Sequence, residues 1–220
     1  MLYDIYMIKK ILLTFITSIL LSEAVFAEKV VVFNFTQEEL KSLKVRKVKG
    51  ETTWSFGSNS NGNFIRAEAE GVGSGLGKQI EIDLQKTPFI NITWKVEKDL
   101  SGINENSKKG HDYAARVFVV KKTGSTALSN RAINYVFSSN SNVNDTWQSP
   151  YTKKSIDYVL STTKKNLNNW VTVKANVRED FMKLHGLEVK NLSGVAIMTD
   201  TDNSKLKTIS YYQNIYFSSN

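Results

Sequence analysis

Residues 89–98 read FINITWKVEK, and their alternation decides the fold class. Ile90, Ile92, Trp94 and Val96 fall on one side of an extended chain, and Asn91, Thr93 and Lys95 on the other. A period of two marks a strand with one face in a core and one in water. The pattern recurs outward in both directions. NFIRAEAEG (63–71) turns Ile65, Ala67 and Ala69 inward, KQIEIDL (78–84) does so with Ile80, Ile82 and Leu84, and NWVTVKANV (169–177) with Val171, Val173, Ala175 and Val177. DYAARVFVV (112–120) is apolar on both sides except for Arg116, which predicts a central strand. KVVVFNF, AINYVFSS, SIDYVLST, SGVAIMT and TISYYQNIYF complete a set of about ten strands separated by Ser, Asn, Gly and Asp. GVGSGLG (71–77) reads as a flexible connection between strands.

One segment reads as a helix. In NVREDFMKLHG, Asn176 is a natural N-cap with Glu179 three residues on, and Gly186 suits the left-handed exit, so a helix is expected over about 177–185. Many short strands and one brief helix in a single run predict an all-β, antiparallel two-sheet β-sandwich of jelly-roll-like form.

The chain opens with an address. Lys9 and Lys10 precede the apolar run Ile11 to Leu21, and Val25 and Ala27 place small residues before a cut after Ala27. These are the parts of a secretory signal, and a run this short does not span a bilayer, which takes about twenty residues. The expected organisation is therefore residues 1–27 as signal and 28–220 as one domain, exported to the periplasm or beyond with no transmembrane anchor after processing. Lys9 and Lys10 balance Asp4 and Glu23, so the formal net charge of +8 stays with the domain. That charge suits an anionic partner such as an envelope component or acidic glycan, or serves solubility alone. The most basic stretch, KSLKVRKVKG (41–50), carries no nucleic-acid-binding signature, so no nucleic-acid partner is expected. There is no cysteine, hence no disulfide framework, no thiol nucleophile and no thiolate metal site, and two histidines make a multi-histidine zinc site a poor expectation. Oligomeric state is left open.

Candidate site residues cluster around SGVAIMTDTDNS (193–204). Asp200 and Asp202 are two apart, so an extended chain points both to one side, with Asn203 following. The segment reads as a hydrogen-bonded turn, as the polar lining of a cleft, or as oxygen ligands for a hard cation, calcium if any, at Asp200 and Asp202. Asp112 and Arg116 share a strand face, and a buried Arg116 needs a partner, for which Asp200 and Asp202 are the candidates. These four residues are expected to gather at one rim. Trp147 lies in a polar loop with Tyr151 close behind, where an exposed ring offers a platform for a sugar or folds back as a plug. Trp94 and Trp170 read as core. His111 beside Asp112 has the makings of a base oriented by a carboxylate. No Gly-x-Ser-x-Gly nucleophile motif and no phosphate loop occur, and no catalytic set emerges.

Four segments taken in order, HDYAARVFVV, INYVF, WVTVKANVREDFMKLHG and VAIMTDTDNS with ISYYQNIYF, resemble the exported bacterial proteins of domain-of-unknown-function family 3047, over about Trp54 to Phe217. The resemblance implies a jelly-roll module of the extracellular glycan-binding kind and no established activity. It departs from the family pattern at His111, where an acid is common, at Phe137, where Trp is frequent, and at Gln213-Asn214, where Gly-Asp is common. The expected function is non-catalytic recognition of a glycan or envelope component through Asp112, Arg116, Trp147, Asp200, Asp202 and Asn203. The alternatives are a hydrolase using two carboxylates from Asp112, Glu179, Asp180, Asp200 and Asp202, and a structural envelope protein that binds other proteins.

Overall fold

Alternating one-faced strands cannot bury their apolar sides alone, and in the computed structural model, which describes residues 28–126 and 129–220, two sheets close on one another. The expected signal segment lies outside the described residues. In chain order the elements are β1 (Lys29–Val31), α1 (Gln37–Ser42), β2 (Lys44–Lys49), β3 (Thr53–Asn59), β4 (Gly62–Glu70), β5 (Gly73–Lys78), β6 (Ile82–Asp83), β7 (Phe89–Lys98) and β8 (Ala115–Lys121). Then follow β9 (Arg131–Ser138), β10 (Thr146–Ser149), β11 (Thr152–Thr162), α2 (Thr163–Asn166), β12 (Val171–Asn176), α3 (Val177–His185), β13 (Asn191–Leu192), β14 (Gly194–Asp200) and β15 (Lys207–Ser218).

The first sheet runs β12-β7-β15-β4-β3, with β1 also on β15, and the second runs β10-β11-β9-β8-β14-β5-β2. Strands β6 and β13 form a small separate pair. The stretch that announced the fold is β7, and Ile90, Ile92, Trp94 and Val96 are fully buried between the sheets. Ile65 and Ala67 of β4, Val117 and Val119 of β8, Ile133, Tyr135 and Phe137 of β9, and Ile197 of β14 meet them there. Arg116 apart, the doubly apolar 112–120 stretch does form the middle strand of the seven. α3 has the expected limits: Asn176 Oδ1 accepts the Glu179 N–H at 3.2 Å and Gly186 exits at φ 62°.

Three features depart from the sequence reading. Strands β9 and β11 pair in parallel, because the chain passes beyond β11 to form edge strand β10 before returning, a crossover that local pattern does not encode. There are fifteen strands among the described residues, since several are short edge pieces. The glycine-rich 71–77 stretch is β5, a largely buried strand rather than a flexible link. A Cβ at Gly75 would come within 2.8 Å of the Ile197 carbonyl oxygen, and one at Gly73 within 2.7 Å of Asp202 Oδ1, so glycine is what lets β14 and its acidic end approach.

Two side chains pin the sheets across the core. Trp94 Nε1 donates to Ser161 Oγ of the facing sheet at 3.0 Å. Tyr212 of β15 donates its hydroxyl to the Met198 carbonyl at 2.6 Å and accepts the Arg116 N–H at 3.1 Å, where the β8–β14 ladder ends. Thr199 Oγ1 donates to the Ala114 carbonyl at 2.9 Å beside it. Replacing Tyr212 by Phe leaves a buried N–H and carbonyl without this partner, so unfolding free energy in denaturant titration should fall by about 1–3 kcal/mol. Tyr211→Phe, on the half-buried outer side, should change it by no more than about 0.5 kcal/mol. Equal effects would mean that the cross-sheet hydroxyl is not a structural pin.

Candidate functional site

The ladder between β8 and β14 stops at Arg116 and Met198, and the hydroxyls of Tyr212 and Thr199 take over there. Beyond it the Asp200 N–H still donates to the Tyr113 carbonyl at 3.2 Å, and the chain before that point folds back over the outer face of the seven-stranded sheet. Glu105 anchors this 99–114 segment: its carboxylate accepts from Ser139 N at 2.8 Å, Ser138 Oγ at 2.5 Å, Ser141 Oγ at 3.1 Å and Asn140 Nδ2 at 3.2 Å. Tyr113 of the same segment packs on the outward residues Val136 and Val159.

The sequence-selected residues converge beneath this cover. Arg116 Nη2 donates to Asp200 Oδ2 and lies against Met198 Sδ, with its guanidinium 5.2 Å from the Tyr113 ring centroid and 5.3 Å from that of Phe118. Asp200 Oδ1 accepts the Tyr113 N–H at 3.2 Å. Asp112 accepts the Asn203 amide at 2.8 Å and the Asn203 and Ser204 backbone N–H groups at 3.2 and 2.5 Å. Asn203 Oδ1 accepts the Tyr151 hydroxyl at 2.6 Å. Asp202 completes a set of three carboxylates, each with an oxygen within 4.8 Å of the others. Asp112, Arg116, Asp200 and Asp202 thus stand together, with only Asp202 half-exposed: Asp112 and Asp200 are at most 1% exposed and Arg116 is 4% exposed.

Trp147 lies in strand β10 rather than in a loop, and its half-buried ring closes the small cluster of Tyr113, Val136 and Val159. His111 pairs with Asp157, not with the adjacent Asp112: Nε2 and Oδ2 are 2.7 Å apart, and Asn134 Nδ2 donates to the other oxygen of Asp157. Asp157 and Asn134 are register partners on β11 and β9, a juxtaposition with no sequence signal. Arg116 Nε and Asn134 Oδ1 stay without partners, a residual cost of enclosing so many polar groups.

Two buried carboxylates, Asp112 and Asp200, stand with the buried guanidinium, and the half-exposed Asp202 lies beside them. Burial pushes Asp200 up to about 7, with the neighbouring charges of Asp112 and Asp202 adding to the rise and Arg116 opposing it. A calcium ion takes six to eight oxygens. Here both Asp112 oxygens already accept N–H groups, Asp200 is engaged by Arg116, and that cation sits where a metal would need negative ligands. The donor set fits an internal ion-pair cluster better than a calcium site. The hydrolase alternative fares no better, since Asp180 accepts the Tyr135 hydroxyl at 2.6 Å in the interior and Glu179 stands exposed at the helix start.

The other sheet offers an open surface that sequence reasoning missed. On the outer face of the six-stranded sheet, Phe64, Trp170 and Tyr211 meet with ring centroids 5.6–5.9 Å apart. Lys95 Nζ lies 4.1 Å from the Tyr211 centroid and 5.8 Å from that of Trp170. Around them run Arg66–Glu68 at 2.8 Å, Lys207–Glu68 at 2.6 Å, Tyr211 Oη to Glu97 at 2.6 Å, and Thr93 with Thr172 at 2.8 Å. Trp170, read from sequence as core, is therefore on the outside. It precedes β12 by one residue and so falls opposite Val171, which faces inward.

The raised Asp200 pKa sets a sign. A proton held more tightly when folded than in the unfolded chain stabilises at low pH, and that contribution is lost as pH rises through about 7. Unfolding free energy should fall by on the order of 1 kcal/mol between pH 6 and pH 8 from this group. Asp202→Asn removes one of the repelling charges, so it should flatten that slope and raise stability at pH 8 in denaturant titrations at both pH values. An unchanged slope would exclude carboxylate crowding as its cause.

No curated protein matches the chain. Among solved structures, a family 30 carbohydrate-binding module is similar with a TM-score of 0.47 and 9% identity, over 87% of this chain and 88% of that one. The family 11 carbohydrate-binding module of a cellulosomal cellulase of Clostridium thermocellum gives 0.44 and 11%, over 89% and 95%. The glycoside hydrolase domain of Endo-D from Streptococcus pneumoniae gives 0.41 and 9%, over 81% of this chain but 22% of that one. A family profile, described as a protein of unknown function, matches residues 38–216, most of the chain, and the chain therefore belongs to the DUF3047 family.

Proposed function

We propose that this protein is an exported, non-catalytic module that recognises a glycan along the outer face of its six-stranded sheet. The observation that carries the reading is the meeting of Phe64, Trp170 and Tyr211 on an open sheet face, framed by Lys95, Arg66, Glu68 and Glu97. Aromatic rings take the apolar faces of sugar rings, and charged or hydroxyl groups beside them take the sugar hydroxyls. Cross-strand packing fixes all three rings before any ligand arrives, so little side-chain entropy is lost on binding. The face is rigid for a local reason as well: the Phe64 ring lies over Gly57, where a Cβ would come within 2.4 Å of it. Asp112, Asp157 and Asp200 on the opposite sheet are committed to internal partners, which favours recognition over hydrolysis. The export-type leader and the net charge of +8 support a partner in the cell envelope or outside it.

The test is binding of the purified protein to arrayed bacterial and plant glycans, with and without calcium. Selective binding is expected, and Trp170→Ala should weaken it on the order of tenfold, a loss of about 1.4 kcal/mol. Trp147→Ala, on the enclosed face, should leave affinity unchanged once stability is matched. Loss with Trp147→Ala and not with Trp170→Ala would move the site to the other sheet, and capture of proteins in place of glycans would mean an interaction module.

A further inference from the structure

We infer that a groove at the end of β4 is a subsite for one acidic pyranose, a sugar of the uronic-acid class. The inference rests on the glycan reading above and extends it along the same strand. β15 is flanked by β4 as far as Gln213 and by β1 only from Tyr216 onward. The β15–β7 register shifts between Gln213 and Tyr216, and Asn214 bulges out exposed between the two flanking strands, while Ile215 stays buried with its carbonyl accepting the Val32 N–H at 2.9 Å. The result is a groove of about 200 Å³ bounded by Asn34, Asn63 and Asn214, by Val31 and Phe33, and by Lys29 and Tyr216. It is smaller than the roughly 300–1,000 Å³ of pockets that take drug-sized ligands, and so suits a single ring.

Its chemistry is one-sided. No carboxylate lines it, and its one charge is the Lys29 ammonium, 4.0 Å from the Tyr216 ring centroid. The side-chain amides of Asn34, Asn63 and Asn214 make no hydrogen bond among the described residues. Each amide offers two donors and an acceptor, the complement of neighbouring sugar hydroxyls, while Val31, Phe33 and Tyr216 supply apolar wall. A lone ammonium beside neutral amides selects a carboxylate over an uncharged group.

The walls are fixed in advance. Glu39 Oε2 accepts the Asn34 and Phe35 N–H groups at 2.7 and 2.8 Å, while its other oxygen holds Lys78 at 3.0 Å. Gln213 Nε2 donates to Asn59 Oδ1 at 3.1 Å and to the Gly62 carbonyl at 3.0 Å, holding the hairpin that ends at Asn63. Phe35 and Asn214 both sit at positive φ, 49° and 48°. A bulky residue there is strained, and such strain persists only where the surroundings enforce it. Tyr211 of the aromatic face lies three residues from Asn214, roughly 10 Å along the strand, so one glycan chain reaches both.

The experiment is titration of the full chain with glucuronate, galacturonate and glucose, followed by NMR of the Asn34, Asn63 and Asn214 side-chain amides. The Trp170 indole is followed in the same spectra with a neutral and an acidic oligosaccharide. The uronates should shift the three amides, and glucose should do so only at concentrations on the order of tenfold higher. Lys29→Met should weaken uronate binding on the order of tenfold with glucose unaffected, and Asn63→Ala should weaken both. Silent amides with a responding Trp170 would overturn the groove and leave the aromatic face standing. Responding amides with a silent Trp170 would do the reverse. Equal response to glucose and uronate would remove the acidic specificity.

Discussion

The hydroxyl of Tyr212 is the constraint from which the rest of the architecture follows. It leaves the first sheet, crosses the core and serves as ladder partner to Arg116 N–H and the Met198 carbonyl in the second. A sheet whose central strands part would normally leave those groups unpaired in an apolar interior. With the hydroxyl there, and Thr199 beside it, β8 and β14 can open at no such cost before the Asp200 N–H meets the Tyr113 carbonyl. The separation brings Asp112 and Tyr113 over Asp200 and encloses the polar cluster. The glycines of β5 are the matching concession on the other side of β14, since side chains there would displace Asp200 and Asp202.

This makes the acidic TDTDN run intelligible. A turn alone would leave its side chains in water. Here Asp112 receives the backbone of the turn at Asn203 and Ser204, and Asn203 in turn receives Tyr151, so the turn is stitched to two other loops. The buried charges are unequal, Asp112 and Asp200 to one guanidinium, and a buried excess of one sign is relieved by taking up a proton. The cluster is organised for holding the cover down.

Legibility divides along the range of the interaction involved. The strands β4, β7 and β12 and the helix α3 were readable because alternation and capping are local, and the central place of β8 was readable because burial on both faces leaves an apolar run. That Arg116 needs an acid at the end of β14, Asp200 or Asp202, was readable because a lone buried guanidinium demands one; the structure gives it Asp200. What depends on the path of the chain was not. The parallel β9–β11 pair is fixed by the crossover through β10, and the pairing of His111 with Asp157 and the burial of Asp112 by a fold-back at the end of a ladder; neither has a sequence mark. For Trp147 the sequence leaves platform and plug both open, and its ring folds onto Tyr113; Trp170, expected in the core, lies one residue outside its strand, on the outer phase.

The two faces of the sandwich therefore differ in kind. The seven-stranded face carries the residues that look chemical in a sequence, and it spends them on one another. The six-stranded face carries ordinary residues, Phe64, Tyr211, Trp170 and Lys95, left half-buried because none of the described residues folds over them. Polar groups satisfied internally offer little to a ligand, since each bond made to it must first be broken within the protein. Groups that remain unpaired at the end of β4, next to rings already held in place, lose nothing of that kind. The same strand, β15, supplies both the pin that seals one face and the Tyr211-to-Tyr216 edge that stays open on the other. Its bulge at Asn214 is what keeps the open face from being a uniform sheet surface, and gives it a concavity with a defined end.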